Sequence, residues 1–151
     1  MLQTVLPEQL RNIITTNLFK EFVGVDEKIF ARELYMNRDQ IRMLKDSGMY
    51  IGIHGYDHYW LGNLTKEKMI EDVNKALDAM DEFIDRKSWV MNYPYGSYND
   101  DCIEFIKLNG CKLSLTTKVN IANLNVDSPY EIPRLDTNDL PPKSKRYMEF
   151  Q

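Results

Sequence analysis

Histidine occurs twice in this chain of 151 residues, at His54 and His58 in the stretch IGIHGYDHYWLGNL (51–64). Neutral imidazole is a common zinc ligand, and two of them four residues apart converge on one ion when the backbone between them turns helically. The other reading of such a pair is two hydrogen-bonded histidines in a loop. The surroundings favour a metal, since the pair follows a short apolar run, holds Gly55 at the turn and is flanked by Tyr56, Tyr59 and Trp60. A second stretch is NYPYGSYND (92–100), where Pro94 and Gly96 fix a tight turn that aims backbone N–H groups outward. Such groups stabilise the oxyanion of a tetrahedral intermediate. Taken alone, this stretch is an ordinary strand-to-helix loop.

The elements that must position these residues follow from the apolar pattern. PEQLRNIITTNLFKEFV (7–23) begins with proline and repeats Leu10, Ile13, Ile14, Leu18 and Phe22 at helical spacing. Two shorter helices are expected in VDEKIFARELYM and in NRDQIRMLKDSG, the second from Asn37 to Gly48. Then the period changes. MYIGIH (49–54) suits a strand ending at His54, and Thr65 can cap a long helix with Met69, Ile70, Val73, Leu77, Met80 and Ile84 on one face. SWVMNY (88–93) is the next strand, Asn99 caps a helix that ends by Gly110, CKLSLTT (111–117) is a third strand and YEIPRL (130–135) a fourth. Alternating strands and helices predict βαβ units on a parallel sheet. His54, Pro94–Gly96, Thr116–Thr117 and Asp136 then fall at the C-terminal ends of strands, the rim where α/β folds place their sites.

Composition narrows the field. A net charge of -4 and a pI near 5.2 leave no electrostatic footprint for nucleic acid. No apolar run reaches the roughly 18 residues a membrane-spanning helix needs. The N-terminus lacks the basic and apolar regions of a secretory signal, so Cys102 and Cys111 are expected as reduced, packed thiols in a cytoplasmic protein.

IHGYDHYWL followed by YPYGSYND, then LTT and IPRLDTNDL, resembles the polysaccharide deacetylases of the NodB-homology group, carbohydrate esterase family 4, over roughly residues 38–140. The resemblance implies a distorted (β/α) barrel and a divalent metal, most often zinc, held by one Asp and two His. It implies hydrolysis of N-acetyl groups on a carbohydrate polymer. By that resemblance His54 and His58 are the two histidine ligands, and the Tyr95 backbone N–H is the oxyanion donor. Tyr56, Tyr59, Trp60 and Pro94 then line the sugar cleft, or else serve only as packing residues.

The match has gaps. The family's first motif, T-F-D-D-G, supplies the metal Asp and the catalytic base, and this chain has no such segment. Asp100–Asp101 opens a helix and does not take that role, Asn92 stands where the family carries Arg, and no third histidine is present to protonate the leaving amine. Asp136 and Asp139 resemble a later acidic motif whose Asp tunes that missing histidine, which makes Asp136 a candidate catalytic residue. The expectation is an incomplete α/β deacetylase barrel with an extra helical segment, laid out as a helical segment over 1–48 packed on the barrel remnant, a β/α domain over 49–142 and a tail over 143–151. As an isolated chain it is expected to be weakly active or inactive. A homo-oligomer is expected to cover the open sheet edges. The competing expectation is a non-catalytic carbohydrate-binding or assembly module on the same scaffold.

Overall fold

The computed structural model describes residues 5–150. The first four residues of the expected helical segment and the last residue of the tail lie outside the described residues. The chain divides into two compact units, Met1–Met43 and Leu44–Gln151.

The first unit is helical. α1 (Glu8–Phe22) follows Pro7, and α2 (Glu27–Leu34) is capped by Asp26, whose carboxylate accepts from the N–H groups of Lys28 and Ile29 at 2.8 and 3.2 Å. Asn37 and Gln40 form a reciprocal capping pair at the start of α3 (Arg38–Asp46), the helix in which the unit boundary falls. Phe19 and Phe30 meet with ring centroids 5.7 Å apart. Helical spacing produced these helices as expected, yet no residue of α1, α2 or α3 is buried, and Phe22 is 76% exposed.

The second unit holds the parallel sheet. β1 (Trp89–Asn92) and β2 (Cys111–Leu115) pair in parallel through the intervening α5 (Asp100–Leu108), a βαβ unit. Asn99 caps α5 by accepting from Cys102 N–H at 3.0 Å. Gly110, at φ 92°, turns the chain into β2; a Cβ there would lie 2.3 Å from the Arg86 carbonyl, so only glycine fits.

Two of the four expected strands are reduced to bridges. Ile53 pairs in parallel with Met91 on one side, through Ile53 N–H to the Val90 carbonyl and Asn92 N–H to the Ile53 carbonyl, both at 2.8 Å. Leu115 pairs in parallel with Ile132 on the other. Gly52 and Pro133 explain the brevity: the first weakens a strand and the second cannot donate to a ladder. The parallel order of the four segments is nonetheless the one expected. The helix begun at Thr65 also differs from expectation. α4 (Lys66–Ala79) ends five residues before Ile84, because Met80 leaves helical geometry at ψ 7° and Arg86 ties Asp78 to Asp81 across the turn. Phe83 is buried and Ile84 half-buried against the core, so the apolar spacing outlasts the helix.

Trp89, Met91 and Tyr93 alternate inward from β1 and meet Met69, Val73, Ala76 and Leu77 of α4 and Cys102 and Ile106 of α5. The Tyr93 hydroxyl and Ser114 Oγ lie 2.8 Å apart and both reach the Tyr130 carbonyl, joining β1, β2 and the fourth segment. Beyond Leu140 the chain closes back on itself. Lys143 Nζ donates to Asn138 and Arg146 lies 3.6 Å from Asp139, so part of the expected tail is anchored.

Burial pushes the Cys102 thiol up to about 12 and the Cys111 thiol to about 11, from an ordinary value of 9.0. Both values are raised in the folded chain. The stability they contribute is therefore complete below pH 9 and lost as pH climbs through 11 to 12. Ellman's reagent at pH 8 is expected to label neither thiol in the native chain and both in guanidinium, and urea midpoints are expected to fall between pH 9 and 11. Rapid labelling of the native chain at pH 8 would contradict this.

Candidate metal and active site

His54 leaves the sheet immediately after the Ile53 bridge, so its ring stands at the C-terminal rim beside β1. Its Nδ1 donates to the Asn92 carbonyl at 2.8 Å, which fixes the tautomer and leaves the Nε2 lone pair pointing away from the backbone. His58 Nε2 lies 3.1 Å from His54 Nε2. Two nitrogens on adjacent corners of a tetrahedral zinc with bonds near 2.05 Å stand about 3.3 Å apart, so this pair fits two positions of one coordination shell. The same distance also suits a hydrogen bond between the rings. Both side chains are exposed enough for an ion to reach them. Among the described residues no group of three His, Cys, Asp or Glu side chains is gathered at one point.

The loop between the histidines is held from α4. Asp72, 2% exposed, accepts the Tyr56 N–H at Oδ2 (3.1 Å) and the Asp57 N–H at Oδ1 (2.9 Å). Gly55, at φ 71°, is wedged so that a Cβ would sit 3.1 Å from both Asp72 Oδ2 and Pro94 Cγ. His58 itself has φ 56°, a left-handed backbone that costs a residue with a Cβ about 1–2 kcal/mol.

The Pro94–Gly96 turn meets this loop. Tyr95, at φ 58° and ψ 8°, is the second non-glycine residue in the left-handed region. Its ring packs edge-on against His58 (centroids 4.6 Å) and stacks on Trp60 (4.5 Å, interplanar angle 6°). No acceptor among the described residues takes the Tyr95 N–H. Beneath it, Gly96 lies so close to Thr117 that a Cβ would fall 2.1 Å from Oγ1. The two loops are also tied at Gly62, whose N–H donates to Ser97 Oγ at 3.1 Å and whose carbonyl accepts from Asn99 at 3.2 Å.

The candidates from sequence therefore separate. His54, His58, Trp60 and Tyr95 form one run of rings at the rim. Pro94 is buried under the turn, Tyr59 is half-buried against the core, and Tyr56 is 56% exposed on the loop. Asp136 partners its own turn: it accepts from Asn138 N–H at 2.8 Å, while Asp139 accepts the Asp136 N–H at 2.8 Å, a capping box. The Asn138 backbone bond, foremost, holds the Asp136 carboxyl below the usual range. Gly62 and Ser97 lay inside the two quoted stretches but were not singled out, and Asp72 lay outside both. Asp72 did leave one signal, an acid spaced with Met69 and Ala76 on the core-facing stripe of α4.

The family model described as polysaccharide deacetylase matches residues 15–114. The chain belongs to the polysaccharide deacetylase family. That match starts inside α1, well before residue 38. YxkH of Bacillus subtilis (strain 168), which carries a provisional polysaccharide deacetylase name, is 21% identical over 96 residues, 64% of this chain and 34% of YxkH. Among solved structures, the Streptococcus pyogenes deacetylase PplD in complex with acetate superposes with a TM-score of 0.62 at 22% identity, covering 76% of this chain and 49% of PplD. IcaB from Ammonifex degensii gives 0.55 at 26% identity, covering 70% of this chain and 49% of IcaB. The chain thus spans about a third of the length of YxkH and half that of either solved deacetylase.

The seat of the Tyr95 turn is open to test. Gly96→Ala is expected to cost more than the roughly 1–2 kcal/mol of a left-handed backbone, because the new methyl meets Thr117. Urea denaturation of Gly96→Ala, Thr117→Ala and the pair should show coupling, the double variant recovering the clash but not the backbone cost. Strict additivity would remove Thr117 as the seat.

Proposed function

We propose that the chain contributes the two-histidine half of a metal-dependent deacetylase site acting on N-acetyl groups of a carbohydrate polymer. The observation that carries this reading is the 3.1 Å approach of His54 Nε2 to His58 Nε2, with His54 Nδ1 fixed on the Asn92 carbonyl. In this reading His54 and His58 hold a divalent cation, most often zinc in this chemistry. When bound, the metal polarises the amide carbonyl and makes hydroxide available near neutral pH. The residues of the chain supply two further features. The Tyr95 N–H, aimed outward by a strained turn, donates to the carbonyl oxygen as it gains charge. The stacked Trp60–Tyr95 pair offers a flat apolar surface at the rim for a sugar ring. The open parallel sheet is read as an arc of a distorted (β/α) barrel.

The matched residues include no third ligand and no general base, so binding to this chain alone is weak and turnover low or absent. Catalytic zinc ordinarily has three protein ligands. Asp136 is engaged in its own capping box and is not assigned a catalytic role. The Trp60–Tyr95 platform also supports the second reading, a carbohydrate-binding module, because stacking on a sugar requires no metal.

Large apolar side chains stand on the second unit, with Leu108, Leu124 and Val126 at 77–78% exposure. We read them, with the open edges of the sheet, as surface covered by further copies of the chain. Among the described residues no helix is long and apolar enough to cross a membrane.

Zinc titration by calorimetry is expected to show one weak site that His54→Ala abolishes, and acetate release from N-acetylhexosamine oligomers is expected to be slight with zinc or cobalt. Binding of the oligomers that is unchanged by His54→Ala and by zinc would favour the binding module. Robust metal-dependent turnover would overturn the assigned incompleteness. Sedimentation at micromolar concentration is expected to show an oligomer, and a well-behaved monomer would remove that part of the reading.

A further inference from the structure

The buried carboxylate of Asp72 lies outside both motif stretches, yet it is the group that holds the histidine loop. We propose that Asp72 is a positioning residue for the metal site: it sets His54 and His58 at their mutual distance before any cation arrives. The proposal rests on the reading of that pair as ligands.

Three observations carry it. Both Asp72 oxygens are engaged, one with the N–H of Tyr56 and the other with that of Asp57, the residues lying between the two histidines. These donors belong to exposed residues, whereas the acceptor is 2% exposed on the core face of α4. A surface loop is therefore tied to the buried, core-facing side of α4. A Cβ at Gly55 would sit 3.1 Å from both Asp72 and Pro94, so the loop packs closely there and takes glycine. Finally, His58 keeps a left-handed backbone that an unrestrained loop would relax. Strain of this kind persists where surrounding contacts over-determine it, and the Asp72 clamp ends one residue before it.

The chemistry of the clamp explains its residue type. A carboxylate accepts at both oxygens, and charge-assisted bonds to N–H groups are stronger than neutral ones. An amide keeps one acceptor and turns an NH2 group toward the other N–H. Asp72→Asn should therefore release one end of the loop while preserving volume in the core.

The test combines three measurements on the full chain. In the wild type without metal, hydrogen exchange at the Tyr56 and Asp57 amides is expected to be at least 100-fold slower than in an unstructured peptide. Exchange at peptide rates would overturn the clamp whether or not any variant folds. In Asp72→Asn, the imidazole ¹⁵N signals of His54 and His58 are expected to shift or broaden while the methyl signals of Val73 and Leu77 on the same helix stay in place. A purely structural role would move the methyls and imidazoles together, and that result would overturn the proposal. Zinc affinity is expected to fall at least tenfold in Asp72→Asn and to vanish in His54→Ala. Loss in His54→Ala with undiminished affinity in Asp72→Asn would reject the positioning role and spare the metal reading. Undiminished affinity in His54→Ala would reject the metal reading, and the positioning role with it, while amide protection would still report the clamp itself.

Discussion

His58 and Tyr95 both sit in the left-handed backbone region, at φ 56° and 58°, and their rings meet at 4.6 Å. Each of these conformations is unfavourable for a residue with a Cβ, so neither would persist in a free loop. What surrounds them is a set of restraints on those two positions. From below, Asp72 fixes the backbone just before His58, and Thr117 closes against Gly96 just after Tyr95. From the side, Gly62 joins the histidine loop to Ser97 and Asn99. Trp60 stacks on Tyr95 from above. Remove this double constraint and the site becomes two ordinary loops.

The frame behind the restraints is the parallel sheet. Because Ile53, β1, β2 and Ile132 run in one direction, the chain leaves each of them at the same rim. Residues distant in sequence then become neighbours without any long excursion. The His54 Nδ1 bond to the Asn92 carbonyl shows the economy of this: the peptide that ends β1 orients the first histidine and then leads straight into the Tyr95 turn. A parallel pair needs a crossover, and α5 supplies it while burying Cys102 and Ile106 beneath β1.

Much of this was legible in the sequence. The caps at Thr65 and Asn99 and the glycine stops at Gly48 and Gly110 are local signals, and local signals read correctly. The structure also brings H-x-x-x-H beside the Pro-Tyr-Gly turn, His58 against Tyr95, because both follow strand ends at one rim. What escaped was long-range. A strand cut to a bridge at Gly52 or Pro133 depends on ladder partners, and α4 stopping at Ala79 depends on Arg86 gathering two aspartates. Asp72 escaped for the same reason. Its function is defined by two amides fifteen and sixteen residues earlier in the chain.

Holding a side chain in place and carrying out proton transfer are separable tasks. The contacts described above for His54, His58 and Tyr95 lie within residues 53–117, and they use backbone hydrogen bonds, ring contacts and close glycine packing. None of them requires a catalytic acid or base. A general base, by contrast, must stand within about 3 Å of the proton it takes, directly or through one water. The two carboxylates nearest in role illustrate the point: Asp72 is committed to two amides and Asp136 to its own turn. The physical consequence is that the order of the histidine pair does not depend on a catalytic acid or base. Order at the two histidines therefore reports the scaffold that holds them.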